Sequence, residues 1–127
     1  SRDYLYGRLL AVAEYAERTY IEAAGEKSQS DAERLIQRFA DLPQPTWRLR
    51  ATRLENIFLP WLRSGNPLQQ SDHKRCRKAL QEISMLFVTE EYNKKDKLSG
   101  EFLLGYYCQL ADFYTPKKPE PTNEGEE

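Results

Sequence analysis

The chain has 127 residues, which is enough for one domain with a buried core and too few for two ordinary domains. Its 19 basic and 20 acidic residues give a net charge of −1, so overall charge favours no class of partner. No apolar run approaches the roughly 18 residues of a membrane-spanning helix, and the start does not resemble a signal peptide. We expect a cytoplasmic protein whose residues 1–115 form one domain.

The pattern of apolar residues predicts an all-α protein, a small bundle of about five helices. The first helix covers residues 2–24, with a buried stripe that ends near Tyr20, and Gly25 stops it. The second opens with a capping box made by Ser30 and Glu33 and runs to about residue 40. Two prolines within residues 42–45 then predict an extended connector.

The third and fourth helices occupy the middle of the chain. The third carries large apolar residues at near-heptad spacing, namely Trp47, Ala51, Leu54, Phe58 and Trp61. Pro60 should kink or end this helix, because proline removes a backbone donor. The fourth begins between residues 67 and 72 and reaches about residue 91, and a lysine-rich loop follows at 94–97.

The closing helix, from residue 99, contains the segment FLLGYYCQLADFY at 102–114. Its apolar residues have the spacing of a helix with one buried face: Leu103, Tyr106, Tyr107, Leu110 and Tyr114. Gly105 lies inside this pattern, where glycine costs about 1 kcal/mol relative to alanine. We therefore expect another backbone to approach closely at Gly105. Residues 116–127, with three prolines and an acidic end, predict a disordered tail.

Basic residues concentrate between residues 44 and 80, where the local charge is +6. On a helical wheel, Lys74, Arg77 and Lys78 fall within about 100° of arc, opposite the apolar face of the fourth helix. Cations near a helix N-terminus are disfavoured by the helix dipole, and a polyanion lying there would offset this cost. A solvated charged face is the alternative interpretation. The arginines of the third helix lie on both flanks of its apolar stripe.

Catalysis finds little support in the sequence. His73 is the only histidine, and Cys108 has no evident base within an apolar helix. His73 and Cys76 have spacing that would allow a shared metal, but no CxxC motif adds further ligands, so a surface histidine is favoured. Both cysteines fall on predicted apolar faces, which predicts buried free thiols. We expect no enzyme activity, no metal, no cofactor and no small-molecule substrate.

Two blocks of sequence resemble a known family. The first is YLYGRLLAVAE at residues 4–14, and the second is LSGEFLLGYYCQLADFY at residues 98–114, in which Cys108 stands where the family would have a histidine. With these blocks the chain resembles the C-terminal helical region of the large subunit of type I-C CRISPR interference complexes. That region is also made separately, by internal translation, as the small subunit of the complex.

The resemblance implies a non-catalytic small subunit of a type I-C Cascade complex, acting in antiviral defence. Its implied partners are the backbone subunits, the large subunit, a second copy of itself, the guide RNA and the target DNA. The resemblance implies that it helps to hold the RNA–DNA hybrid and the displaced strand without reading their sequence.

The candidate phosphate contacts are Lys74, Arg75, Arg77 and Lys78, followed by Arg48, Arg50 and Arg53. Arg8 matches the family block, and it is either a structural ion pair or a nucleic-acid contact. Two alternatives stay open for the whole chain. One is a structural adaptor between subunits that makes no contact with nucleic acid, and the other is an unrelated bundle that shares the two blocks.

Overall fold

The computed structural model describes residues 1–23, 25 and 34–115. This part of the chain contains six helices and no strand: α1 Arg2–Ala23, α2 Ile36–Asp41, α3 Pro43–Arg63, α4 Pro67–Leu86, α5 Thr89–Asn93 and α6 Glu101–Tyr114. The predicted all-α bundle is confirmed. The predicted capping box at Ser30 and Glu33 and the predicted tail at 116–127 lie outside the described residues.

The first helix, α1, is the central element of the bundle. It packs against α3, α4 and α6, and every residue from Leu9 to Glu17 is buried. The predicted apolar stripe is therefore one part of a helix that is covered on all sides, although Tyr20 at its end is 39% exposed. Gly25 follows the helix with a φ of 77°, and its N–H donates to the Glu22 carbonyl, so the predicted stop is confirmed.

Two glycines bring the backbones of α1 and α6 into contact. A Cβ atom on Gly7 would lie 1.9 Å from the carbonyl oxygen of Phe102, and one on Gly105 would lie 2.0 Å from that of Tyr4. No carbon atom can approach an oxygen so closely without a covalent bond, so each helix needs glycine at its contact point. The predicted close approach at Gly105 is confirmed, and Gly7 makes it reciprocal.

The direction of α6 follows from contacts at its two ends. Near the start, the Ser1 hydroxyl donates to the Glu101 carboxylate. Near the end, the rings of Tyr15 and Phe113 stack with centroids 4.3 Å apart. The first and last helices therefore lie side by side in parallel.

The buried stripe predicted for α6 is correct at Tyr106 and wrong at three other positions. Leu103, Tyr107 and Tyr114 are 41%, 61% and 50% exposed. The helix presents Gly105 to α1, so the positions that flank the glycine on the helix surface are the ones that meet the core. The buried residues are Phe102, Gly105, Tyr106, Gln109 and Phe113.

Three prolines that were predicted to interrupt or end helices lie within α3. Residues 42–45 are not an extended connector, because α3 begins at Pro43 and includes Pro45. Proline is accepted in the first turn, where the backbone N–H has no partner within the helix. Pro60 does not end α3, which continues to Arg63. The fourth helix ends earlier than predicted, since Phe87 and Val88 are extended and separate α4 from α5.

The two cysteines lie in different environments. Cys76 is buried on α4, and burial raises the pKa of its thiol to about 12. Cys108 is exposed on α6, so the prediction that both thiols are buried is wrong for this residue. Cys108 lies at the edge of the contact with α1, beside Tyr4 in a cleft that is open to solvent.

Replacing Gly105 by alanine should destabilise the bundle. The substitution improves helix propensity by about 1 kcal/mol, but the new Cβ overlaps a backbone carbonyl that cannot rotate away. Overpacking costs about 1–3 kcal/mol even against side chains, so we expect the free energy of unfolding to fall by about 2 kcal/mol. Chemical unfolding followed by circular dichroism measures this.

Gly100→Ala is the matched control, because its new Cβ would have no atom within 4 Å apart from those of residues 99–101. We expect this variant to be as stable as the unmodified protein or slightly more stable. Equal unfolding midpoints for the two alanine variants would contradict the backbone contact.

A thiol reagent should modify Cys108 in the folded protein and spare Cys76. The expected stoichiometry is one thiol per chain in native buffer at mildly alkaline pH and two after unfolding, because only the thiolate reacts and Cys76 is kept protonated and covered. Mass spectrometry of the labelled protein locates the adduct. The Cys108→Ser variant should lose the rapid reaction, and rapid labelling of that variant would contradict the assignment.

Candidate nucleic-acid interface

Lys74 and Lys78 lie on the outer face of α4, one turn apart, and both are exposed as predicted. Within the described residues, neither ammonium group forms an ion pair. The two lysines therefore present free positive charge to solvent. Lys74 and Lys78 are therefore not neutralised by a salt bridge, although Lys78 lies near enough to Glu82 to help lower the pKa of that carboxyl.

Arg77 is on the same face but is engaged within the protein. Its guanidinium lies 3.1 Å from the Glu55 carboxylate of α3 and 4.8 Å from the centre of the Phe58 ring. Its Nε donates to Nε2 of His73 at 3.2 Å. Partial burial, followed by the charge of Arg77, lowers the pKa of His73. Arg77 thus links α4 to α3, although it remains about half exposed.

Arg75 points inward and is held by α1 and α6. Its guanidinium lies 5.4 Å from the ring centre of Tyr15 and 5.5 Å from that of Phe113. One nitrogen donates to the Phe113 carbonyl at 2.8 Å, and another donates to the Tyr15 hydroxyl at 3.2 Å. The Tyr15 hydroxyl donates in turn to Asp72 at 2.7 Å. The Arg75 side chain therefore connects α4 to α1 and α6 and contributes to their packing.

The three candidate arginines of α3 also differ in whether the fold engages them. Arg50 lies 3.2 Å from the carboxylate of Glu17, whose side chain is fully buried on α1. A buried carboxylate needs such a partner, because an unpaired charge in the core is costly. Arg48 and Arg53 are exposed. Arg50 is thus partly buried and paired with the core, whereas Arg48 and Arg53 stay at the surface.

Arg8, which the sequence left open, forms a structural ion pair. Its Nη2 donates to Glu82 of α4, and its Nε donates to the side-chain oxygen of Gln109 of α6 at 2.7 Å. The hydrogen bond from Arg8 lowers the pKa of Glu82. Arg8 therefore joins α1 to two other helices.

The prediction that the helix dipole disfavours the lysines is wrong, because Lys74 and Lys78 lie too far from the N-terminus of α4. Its first residue is Pro67, about two turns before Lys74, and the dipole acts only within the first turn. The terminus also has its own cap, since the Asn66 side chain accepts hydrogen bonds from the N–H groups of Leu68 and Gln69. Exposure, and not the dipole, makes Lys74 and Lys78 available.

Two concave surfaces border α4. Lys78 lies at the edge of a polar cleft of about 400 Å³ between α1, α4 and α6, whose walls include Tyr4, Glu82 and Asp112. A second groove, of about 450 Å³ and mostly apolar, lies between α3 and α4 and is lined by Trp47 among others. Among residues 1–23, 25 and 34–115, no cluster of three metal-ligating side chains occurs. None of the helices described above is long and apolar enough to cross a membrane.

The fold and its surface define a small helical bundle that presents free lysines on one outer helix. A family model described as CRISPR-associated protein (Cas_Csd1) matches residues 1–114, so the chain belongs to this family. It is therefore a CRISPR-associated subunit of the Cascade type, in agreement with the resemblance found in the sequence. No curated protein and no solved structure matches the chain.

Replacing Arg75 by lysine should destabilise the protein while its charge is kept. Lysine cannot make the two hydrogen bonds of the planar guanidinium or stack between Tyr15 and Phe113. We expect a loss of about 1–2 kcal/mol in the free energy of unfolding. Arg53→Lys, on the exposed surface, is the matched control and should leave the unfolding midpoint unchanged. Equal midpoints for the two variants would show that Arg75 has no structural role.

Proposed function

We propose that the chain is the non-catalytic small subunit of a type I-C CRISPR RNA-guided complex. In this role it binds the sugar-phosphate backbone of the guide RNA–target DNA hybrid, of the displaced strand or of both. The observation that carries the proposal is the pair of exposed lysines on α4, Lys74 and Lys78, which have no ion-pair partner in the described part of the chain. Lysine is a flexible point charge that suits a phosphate of variable position.

Binding of this kind needs no recognition of bases. The guide RNA supplies sequence specificity by pairing, and the exchange of a DNA duplex for an RNA–DNA hybrid is nearly balanced in free energy. A few contacts to phosphates are enough to tip such a balance. A small subunit with free lysines on one face meets this requirement, and no catalytic group is needed for it.

The remaining candidates have unequal parts in the proposal. Arg48 and Arg53 are exposed and are secondary candidates for phosphate contacts. Arg77 can reach a phosphate only by sharing its charge with Glu55. Arg50 and Arg75 are used by the fold, so we assign them to the scaffold and not to the interface.

Reversing both lysines, as Lys74→Glu with Lys78→Glu, should weaken target-DNA binding by the assembled complex. Each phosphate contact contributes about 0.7–0.9 to the slope of log affinity against log salt. We therefore expect the slope to become shallower by about 1.5, in addition to a loss of affinity at low salt. Fluorescence anisotropy with labelled target DNA over a salt series measures both quantities.

The matched control reverses two exposed lysines of the loop before α6, as Lys95→Glu with Lys97→Glu. It changes net charge by the same amount and should alter the slope much less. Equal changes in the two variants would mean that only the overall charge matters. An unchanged affinity and slope in the α4 variant would favour the second candidate, an adaptor that only fills space between subunits.

A further inference from the structure

The last helix carries a second apolar face, which points away from the bundle. Within the fourteen residues of α6, a continuous arc of about 120° on the helical wheel contains no polar or charged side chain. The face is well exposed, with Tyr107 at 61% and Leu104 at 56%. We call it the outer stripe, and it consists of Leu103, Leu104, Tyr107, Leu110, Ala111 and Tyr114. Leu110 forms its inner border, because it is partly buried against the core.

The outer stripe cannot be buried by a different packing of α6 on its own bundle. Any rotation of the helix would move Gly105 away from the Tyr4 carbonyl and bring a side chain into its place. The contact of Gly7 with the Phe102 carbonyl forbids the same movement from the α1 side. The glycine contacts therefore fix the exposure of the stripe, and a helix that is apolar nearly all round normally has a partner on each side.

The charges around the stripe select the kind of partner. The charged residues of α6 are Glu101 and Asp112, which lie together along one edge of the stripe, and the helix contains no lysine or arginine. One cation, Arg18, lies over the Tyr114 ring at the far end. An acidic edge repels phosphate, so nucleic acid is a poor occupant. A protein surface with basic residues opposite Glu101 and Asp112 is complementary.

We propose that the outer stripe docks an amphipathic helix of another protein subunit in the complex. The aliphatic face of that helix lies on Leu104 and Tyr107, and lysine or arginine residues border it on the side of Glu101 and Asp112. A straight stripe about 17 Å long, from Leu103 to Tyr114, matches the apolar face of a helix of similar length. Exposed tyrosines suit such a contact, because the ring packs while the hydroxyl stays at the rim.

This inference rests on membership of a multi-subunit complex, which is part of the proposed function, but it does not depend on phosphate contacts. The two surfaces lie on different helices, so their failures are distinguishable. The Lys74→Glu/Lys78→Glu variant should enter the complex normally and bind DNA weakly. A variant of the outer stripe should fail at assembly.

The test uses the full chain co-expressed with the other subunits and guide RNA. In the variant Leu104→Lys with Tyr107→Lys, we expect incorporation into the purified complex to fall about tenfold or more, because both residues lie at the centre of the stripe. The free protein should keep its helical circular dichroism and unfolding midpoint, since both side chains are exposed.

The matched control is Leu68→Lys with Met85→Lys. These α4 residues are 75% and 79% exposed and lie outside the outer stripe. The control should be incorporated like the unmodified chain. Equal incorporation of the two double variants, whether both high or both low, would overturn the proposal.

The identity of the occupant is tested by placing the photo-crosslinking residue benzoylphenylalanine at position 107 in the assembled complex. We expect the crosslinked peptide to come from a helix of another subunit that has lysine or arginine beside aliphatic residues. Crosslinks to nucleic acid, or to a second copy of this chain, would overturn the proposal. Sedimentation of the free chain over a concentration series provides an independent check for self-association through the stripe.

Discussion

The architecture depends on one backbone contact, in which Gly7 and Gly105 allow α1 and α6 to lie closer than side chains would permit. The carbonyl oxygens of Tyr4 and Phe102 occupy the space where each Cβ would be. Glycine within a helix is unfavourable by about 1 kcal/mol, so the packing of α1 against α6 must stabilise the fold by more than the two glycines cost. The contact makes α1 the central helix and fixes the rotation of α6 about its axis.

That fixed rotation explains where the sequence was informative about the fold. Periodicity located most of the helices but not the break at Phe87 and Val88 between α4 and α5. The isolated glycine in FLLGYYCQLADFY correctly indicated a close approach. The periodicity of the same segment failed to give its buried face, because apolar residues occur on both sides of α6 and two stripes fit a helix equally well. Proline was also misleading at residues 42–45, since it interrupts a helix interior but is well suited to a first turn.

For the candidate interface, the sequence located the basic region but could not sort its members. A helical wheel describes one helix, whereas the partners that engage the arginines come from others. Arg50 meets Glu17, 33 residues away in the chain, and Arg75 meets Phe113, 38 residues away. Lys74 and Lys78 form no salt bridge with any carboxylate in the described part of the chain. The packing of α1, α3 and α6 against α4 therefore determines which basic residues form internal contacts and which are available to a ligand.

The parallel pairing of α1 with α6 has a consequence for how the chain reaches its native state. The Ser1–Glu101 hydrogen bond closes a loop of 100 residues, and the most extensive helix–helix interface of the described residues joins the first and last helices. Such non-local contacts slow folding, because the entropy of loop closure is lost before the interface forms. During synthesis on the ribosome, α1 cannot pack against α6 until residues 101–114 emerge. The apolar surface of α1 is therefore covered only by transient contacts or chaperones until residues 101–114 have been synthesised.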